Sequence, residues 1–126
     1  MTIWRVEGKR PLRGGLRVQG SKNAMLPILA ASLLVPGETE LLNCPELRDL
    51  SVALEILQYL GCSTAVTGDT VTIDASCVSG CALTPALSGA MRASVTFLGP
   101  LLARCGEAEM TFPGGCALGR RPVNLH

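Results

Sequence analysis

A chain of 126 residues has the length of one domain or a piece of a larger one. Apolar residues make up 48 % of it, enough for a core, but aromatics only 3 %, so that core must be built from Leu, Val, Ala and Met. Eleven basic residues against ten acidic ones leave no footprint for nucleic acid or a membrane surface, and no run of like charge marks an interaction tail.

The first residues, Met1-Thr2-Ile3-Trp4-Arg5, carry no apolar run and no small-residue cleavage site of the kind a signal peptide needs. Two short strands are expected at residues 3–7 and 16–19, with Pro11, Gly14 and Gly15 punctuating the link. Ser21 is a plausible cap for a helix over residues 22–34. That helix is apolar on nearly every face, through Ala24, Met25, Leu26, Ile28, Leu29, Ala31 and Leu33. A helix without a polar face belongs inside a protein, and the apolar stretch from Ala24 to Val35 is too short to span a bilayer. Pro27 lies in its first turns, and Pro36-Gly37 stops it.

A strand is expected at residues 39–42. An amphipathic helix follows, capped by Asp49 or Ser51, with Leu50, Ala53, Leu54, Leu57 and Leu60 on one face and Gly61 just past its end. Strands at 63–66 and 70–73 flank a Gly68-Asp69 turn. A third helix is expected over residues 87–104 and a strand over 108–112. The coarse order is βαβαββ, then α, β and a glycine-rich loop.

The segment from Ala24 to Glu40 echoes itself 69 positions later. Ala24 meets Ala93, Leu29 meets Leu98, Leu33 meets Leu102, Gly37 meets Gly106, Glu38 meets Glu107 and Glu40 meets Glu109. The shared unit is an apolar helix, a glycine stop and an acidic lead-in to a strand, which predicts repeated α/β units that bury helices together. After Cys116 no amphipathic helix and no closing hairpin follow, so the second unit reads as cut short. An apolar helix made to be covered by several such units would leave a face exposed for association.

Six cysteines stand at positions 44, 62, 77, 81, 105 and 116. Without a signal sequence, free thiols in a cytoplasmic chain are the expectation. Cys77 and Cys81 are four apart, but no second cysteine pair completes a zinc ligand set.

Three places carry chemistry. In Phe112-Pro-Gly-Gly-Cys116-Ala-Leu-Gly-Arg-Arg121, three glycines make a loop that can approach a ligand closely, with a cysteine at its tip. Arg120 and Arg121 suit phosphate recognition and would favour thiolate. On composition alone, a reactive cysteine beside an anion site and an exposed turn with a passive cysteine weigh about evenly. Gly20-Ser21-Lys22-Asn23 opens the apolar helix, where the helix dipole already carries partial positive charge and Lys22 adds more. An anionic ligand would resolve that repulsion, and a solvated helix start is the plainer alternative. Met91-Arg92-Ala93-Ser94 repeats the puzzle at the equivalent place in the second unit, where a snorkelling surface arginine is the alternative.

Gly20-Ser-Lys-Asn-Ala24 with Leu26-Pro-Ile-Leu29, then Met91-Arg-Ala-Ser94, Pro113-Gly-Gly-Cys116 and Arg121-Pro-Val-Asn-Leu-His126 resemble, in order and spacing, the UDP-N-acetylglucosamine 1-carboxyvinyltransferases. The resemblance covers essentially the whole chain, and its members are several times longer. It implies an α/β fold of repeated βαβαββ units around buried helices, an inside-out α/β barrel, here with one complete unit and part of a second. Residues 1–20 would be opening strands belonging largely to the other domain. Residues 21–126 would be a partial enolpyruvyl transferase domain with the catalytic cysteine loop at 112–122.

The implied reaction moves the enolpyruvyl group of phosphoenolpyruvate to the 3-hydroxyl of UDP-N-acetylglucosamine and releases phosphate, without a metal or organic cofactor. Carried over by position, Lys22, Asn23 and Arg121 would bind phosphoenolpyruvate. Asn23, Arg92, Arg121, Pro122, Val123, Asn124 and Leu125 would bind the sugar nucleotide. Cys116 would donate the proton to the methylene carbon and can form a covalent adduct. Asn124 stands where many members have aspartate, and Arg120 where a small residue is common. The family's acidic catalytic residue and further arginines lie downstream, so the remainder of the parent chain is an expected partner and this stretch alone is expected to be inactive. Two alternatives remain: the shikimate-pathway enolpyruvyl transferase, whose members lack the Pro-Gly-Gly-Cys loop, and a non-catalytic α/β module that binds a sugar nucleotide or a partner.

Overall fold

The computed structural model describes residues 3–114. Helix α1 spans Lys22–Ala31 and tightens into a 3-10 turn, Ser32–Leu34. Strand β1 is Glu38–Leu41, helix α2 is Arg48–Tyr59, and strands β2 and β3 are Ser63–Thr67 and Thr70–Asp74. Helix α3 covers Pro85–Ala90, a 3-10 helix Arg92–Phe97, and helix α4 Leu98–Cys105.

The three strands form one antiparallel sheet in the order β1-β3-β2. Glu38 pairs with Asp74 and Leu41 with Val71 on one side of β3, and Ser63 with Asp74 and Thr67 with Thr70 on the other. The β2–β3 connection is two residues long, and a tight hairpin of that length asks for positive φ, which Gly68 supplies at 62°. Val71 and Ile73 alternate with half-exposed residues along β3 and point into the core. Helix α2 covers the sheet and α1 together: Leu50, Ala53, Ile56, Leu57 and Leu60 are all buried, while Ser51, Glu55 and Gln58 face solvent. Leu54, expected on the buried face, is half-buried at its edge. Gly61 follows at φ 98°, the left-handed conformation a helix end favours.

Several expectations are corrected. Residues 3–20 form no strand. A strand exists by pairing, and no ladder in the described residues reaches this segment, so Ile3, Trp4, Val6, Leu12, Leu16 and Val18 stand exposed. Helix α2 starts with Leu47 as its cap residue rather than Asp49 or Ser51, and Asp49 lies inside its first turn. The expected third helix is three pieces. Met91 is extended, at φ −150° and ψ 159°, and breaks the run. The break is held by the Ser94 hydroxyl, which donates to the carbonyls of Ser88 at 2.7 Å and Met91 at 2.9 Å. Before the break, Thr84 caps α3 by accepting the Leu87 N–H, and Pro85 occupies the first turn. The strand expected at 108–112 is reduced to one parallel bridge between Ala82 and Glu109.

Helix α1 is covered by α2 on one side and by the Arg92–Phe97 helix on another. Met25, Leu26, Leu29, Ala30 and Leu33 are buried there with Phe97 and Leu101. The cover is partial: Ile28, Leu34 and Val35 stay 46–51 % exposed. The two units also meet through Arg104. Its guanidinium donates to the Leu33 carbonyl at 2.7 Å and the Ala75 carbonyl at 2.6 Å, tying the last turn of α4 to the end of the first helix and the end of β3.

Arg104→Ala should lower stability by about 1–3 kcal/mol, because two carbonyls lose a charged donor. Arg104→Lys should recover less than half of that, since a single ammonium cannot match the planar fork. Urea unfolding midpoints decide it, and full recovery by lysine would show that charge alone matters.

Hydrogen bonds from the Ser76 hydroxyl and the Ser76 N–H hold the Asp74 carboxyl below its ordinary range. A depressed folded value stabilises the fold above the unfolded carboxylate range, and that contribution is lost as pH falls through the folded value. Asp74→Asn keeps an acceptor without a titrating group. Its acid unfolding curve should therefore be shallower than wild type over the same window, and superimposable curves would contradict this.

Candidate functional site

The start of α1 is positioned by close backbone approach. Gly20, two residues before Lys22, lies so near the Asn43 carbonyl that any side chain there would overlap it. Asn43 itself is left-handed at φ 58°, which turns the chain from β1 toward α2. The connection before α2 is thereby pressed against the connection before α1. Ser21 occupies the cap position, but its hydroxyl caps no N–H; its carbonyl accepts from Ala24 and Met25. The first N–H groups of a helix have no intrahelical partner, so this end carries unspent donors. Pro27 has no N–H to offer the Asn23 carbonyl four residues earlier, which frees an acceptor at the same end.

Lys22 and Asn23 are the first two residues of α1, both exposed. The Lys22 ammonium donates to Asp49 Oδ2 at 3.0 Å. Asp49 comes from the first turn of α2, so the N-termini of both helices meet at this pair. The repulsion between Lys22 and the helix dipole, which an anionic ligand would resolve, is met here by a carboxylate of the chain itself. No sequence spacing pointed to it, since the two residues are 27 apart.

Arg92 opens the 3-10 helix after the extended Met91 and is half-buried. That helix packs against α1, which brings the two motif-bearing segments into one layer. Among the described residues, no hydrogen bond joins Arg92 to Lys22 or Asn23.

Cys116, Arg120 and the run Arg121, Pro122, Val123, Asn124 and Leu125 lie outside the described residues. The approach to them ends at Gly114, whose N–H donates to the Ser88 carbonyl at 3.0 Å. A side chain on Gly114 would overlap the Gly89 carbonyl. The Gly-rich motif thus has a packing reason at its first glycine, in addition to any ligand.

The remaining cysteines are free thiols of a different character. Burial pushes the Cys44 thiol up, aided by the charge of Asp69. Burial also raises Cys62, against a downward pull from the Arg104 guanidinium. Cys81 donates to Glu107 Oε1 at 3.4 Å, which raises it by stabilising the protonated form. Cys77 and Cys105 are exposed. Among the described residues, no three His, Cys, Asp or Glu side chains gather as metal ligands, and no helix is long and apolar enough to cross a membrane.

An open cavity of about 490 Å³ is lined by Arg17, Gln19, Asn43, Glu46 and Asp69 among others, but by neither Lys22, Asn23 nor Arg92.

Residues 6–126 match the family model described as EPSP synthase (3-phosphoshikimate 1-carboxyvinyltransferase). The chain is 48 % identical over 122 residues to the UDP-N-acetylglucosamine 1-carboxyvinyltransferase of Cellvibrio japonicus. It is 50 % identical over 125 residues to the enzyme of that name from Nitratidesulfovibrio vulgaris. Each alignment takes in 96 % of this chain and 29 % of the relative, so the chain spans under a third of the length of these curated relatives. Among solved structures it resembles the enolpyruvyl transferase NikO from Streptomyces tendae, with a TM-score of 0.68 and 29 % identity over 75 % of this chain and 22 % of that one. The fold is thus the expected α/β enolpyruvyl-transferase type, and a match running from residue 6 to residue 126 makes this chain a member of the EPSP synthase family.

Proposed function

We propose that the protein containing this chain is a UDP-N-acetylglucosamine 1-carboxyvinyltransferase of the cytoplasm. It would commit that sugar nucleotide to peptidoglycan synthesis, and so to cell-wall biogenesis, shape and division. The observation that carries this reading is the Lys22-Asn23 pair at the exposed start of α1. There a lysine and unspent helix donors converge on one point, beside a layer that also bears Arg92. Relatives at 46–50 % identity share the name, which favours this sugar acceptor over shikimate 3-phosphate.

In the reaction, Lys22, Asn23 and Arg121 hold phosphoenolpyruvate. Asn23, Arg92, Arg121 and the run from Pro122 to Leu125 hold the sugar nucleotide. Cys116 delivers a proton to the methylene carbon as the sugar 3-hydroxyl oxygen, giving up its own proton to a base from further chain, bonds the adjacent carbon. The resulting methyl group then loses a proton as phosphate departs, which restores the carbon–carbon double bond. Electrostatic stabilisation comes from fixed cations and helix donors that need no rearrangement when charge develops. Residues 21–126 form part of one domain, residues 1–20 belong with another, and further chain completes the site.

Release of phosphate from phosphoenolpyruvate by the complete gene product should require UDP-N-acetylglucosamine. Release that requires shikimate 3-phosphate instead would assign the other branch of the family, and no release with either acceptor would favour a binding module. In that protein, Lys22→Ala should lower kcat/KM for phosphoenolpyruvate roughly ten- to hundredfold, the cost of one charge-assisted contact, with little change in the thermal midpoint. Wild-type kcat/KM would return Lys22 to solvated helix surface.

The thiols offer a second test. Cys116, beside Arg120 and Arg121, should be alkylated first by brief iodoacetamide treatment of the native protein. Exposed Cys77 and Cys105 should follow, then Cys81, with Cys44 and Cys62 last because burial shields and protonates them. Peptide mass spectrometry gives the order, and labelling of Cys77 or Cys105 ahead of Cys116 would remove the argument for an activated thiol.

A further inference from the structure

The Lys22–Asp49 pair joins two helix starts at the site proposed for phosphoenolpyruvate, and the inference drawn from it rests on that site assignment. We propose that Asp49 is a positioning residue that acts through Lys22, as the internal counter-ion of the anion site. It holds the ammonium in place while the site is empty and weakens phosphate binding by its own charge.

The geometry favours this over a simple surface ion pair. The other ion pair among the described residues, Arg10 with Glu7, lies within one exposed loop at 4.0 Å. Lys22 and Asp49 are 3.0 Å apart and bridge different helices. Both side chains remain partly open to solvent, at 49 % and 32 % exposure, so a ligand can reach them. A lysine ammonium has three N–H groups, and Asp49 Oδ2 takes one of them. Two are left for the oxygens of an incoming phosphate or carboxylate, and the tether keeps them at the end of α1.

The sign of the net effect follows from charge. Two helix N-termini contribute roughly half a positive charge each and Lys22 a full one, so the site without Asp49 carries about +2. Asp49 brings it to about +1. An anion bonded to Lys22 sits within a few ångströms of the Asp49 carboxylate, where like charges repel even under partial solvent screening. The tether's gain is confined to the rotamer freedom of one lysine. Repulsion therefore outweighs it, and affinity for the anion is held below what the cations alone would give.

The test uses the complete gene product. Asp49→Asn should lower the KM for phosphoenolpyruvate about three- to tenfold while the KM for the sugar nucleotide stays unchanged. The dissociation constant of inorganic phosphate, measured by titration calorimetry, should fall by a similar factor. Asp49→Glu should behave as wild type. In the Lys22→Ala background the Asp49→Asn effect should shrink to less than twofold, because the two residues act as a unit. A residue that merely ties the helices would instead give a lower thermal midpoint with unchanged or raised KM in either background, and that result overturns the proposal. If Asp49→Asn does not fold, Asp49→Ser removes the same charge from the first turn of α2. The phosphate titration needs no turnover. A wild-type protein inactive with UDP-N-acetylglucosamine would sink the reaction assignment, while unchanged phosphate affinity on removing the Asp49 charge would sink the counter-ion role.

Discussion

Helix α1 presents apolar side chains around most of its circumference, and water does not tolerate that arrangement on an isolated helix. Two elements of the described structure cover it. The amphipathic helix α2, with Leu50, Ala53, Ile56 and Leu57 buried, packs against it, and the Arg92–Phe97 helix brings buried Phe97 from the other repeat. Because the cover comes from two units, neither unit is closed by itself. Arg104 makes the dependence explicit, since one guanidinium satisfies carbonyls from α1's extension and from the residue just past β3 at once. The same demand is unfinished at Ile28, Leu34 and Val35, which remain half-exposed.

Covering α1 also decides where its chemistry lies. A helix buried along its length offers its ends, and the N-terminal end is where backbone donors and partial positive charge gather. Gly20 lets that end sit against the Asn43 turn, which sets the first turn of α2 beside it and brings Asp49 to Lys22. Packing and electrostatics are therefore coupled at this point. The contacts that shield the apolar face also supply the carboxylate that balances the lysine. The second repeat follows the same plan with Arg92 at the corresponding helix start, but there an extended Met91 and the Ser94 hydroxyl reshape the backbone.

Where periodicity was strong, it was sufficient. The stripe from Leu50 to Leu60 has helical spacing, and a two-residue Gly68-Asp69 link leaves β2 and β3 little choice but a hairpin. The helix starting at Lys22 was legible from Ser21 before it and Pro36-Gly37 after it. The 87–104 stretch failed because its apolar pattern is continuous while its backbone is not. The break at Met91 is held by Ser88, Ser94 and Met91 together, and hydroxyl-to-carbonyl bonding leaves no periodic trace. The opening strands failed for another reason: alternating apolar residues describe a segment that can pair, and pairing needs a partner.

By itself the sequence determined the apolar helix that opens with Lys22-Asn23, the amphipathic helix carrying the stripe from Leu50 to Leu60, the hairpin at Gly68-Asp69, and which family the motifs point to. These follow from local spacing and from residue types with narrow physical uses. Only the tertiary structure decided that Asp49 is the ion partner of Lys22, that Arg104 bridges the two repeats, and that Gly114 rests on the end of α3. Those contacts span 26 to 71 residues, and at such separations the meeting of two side chains is set by how helices pack around α1, which no local pattern encodes.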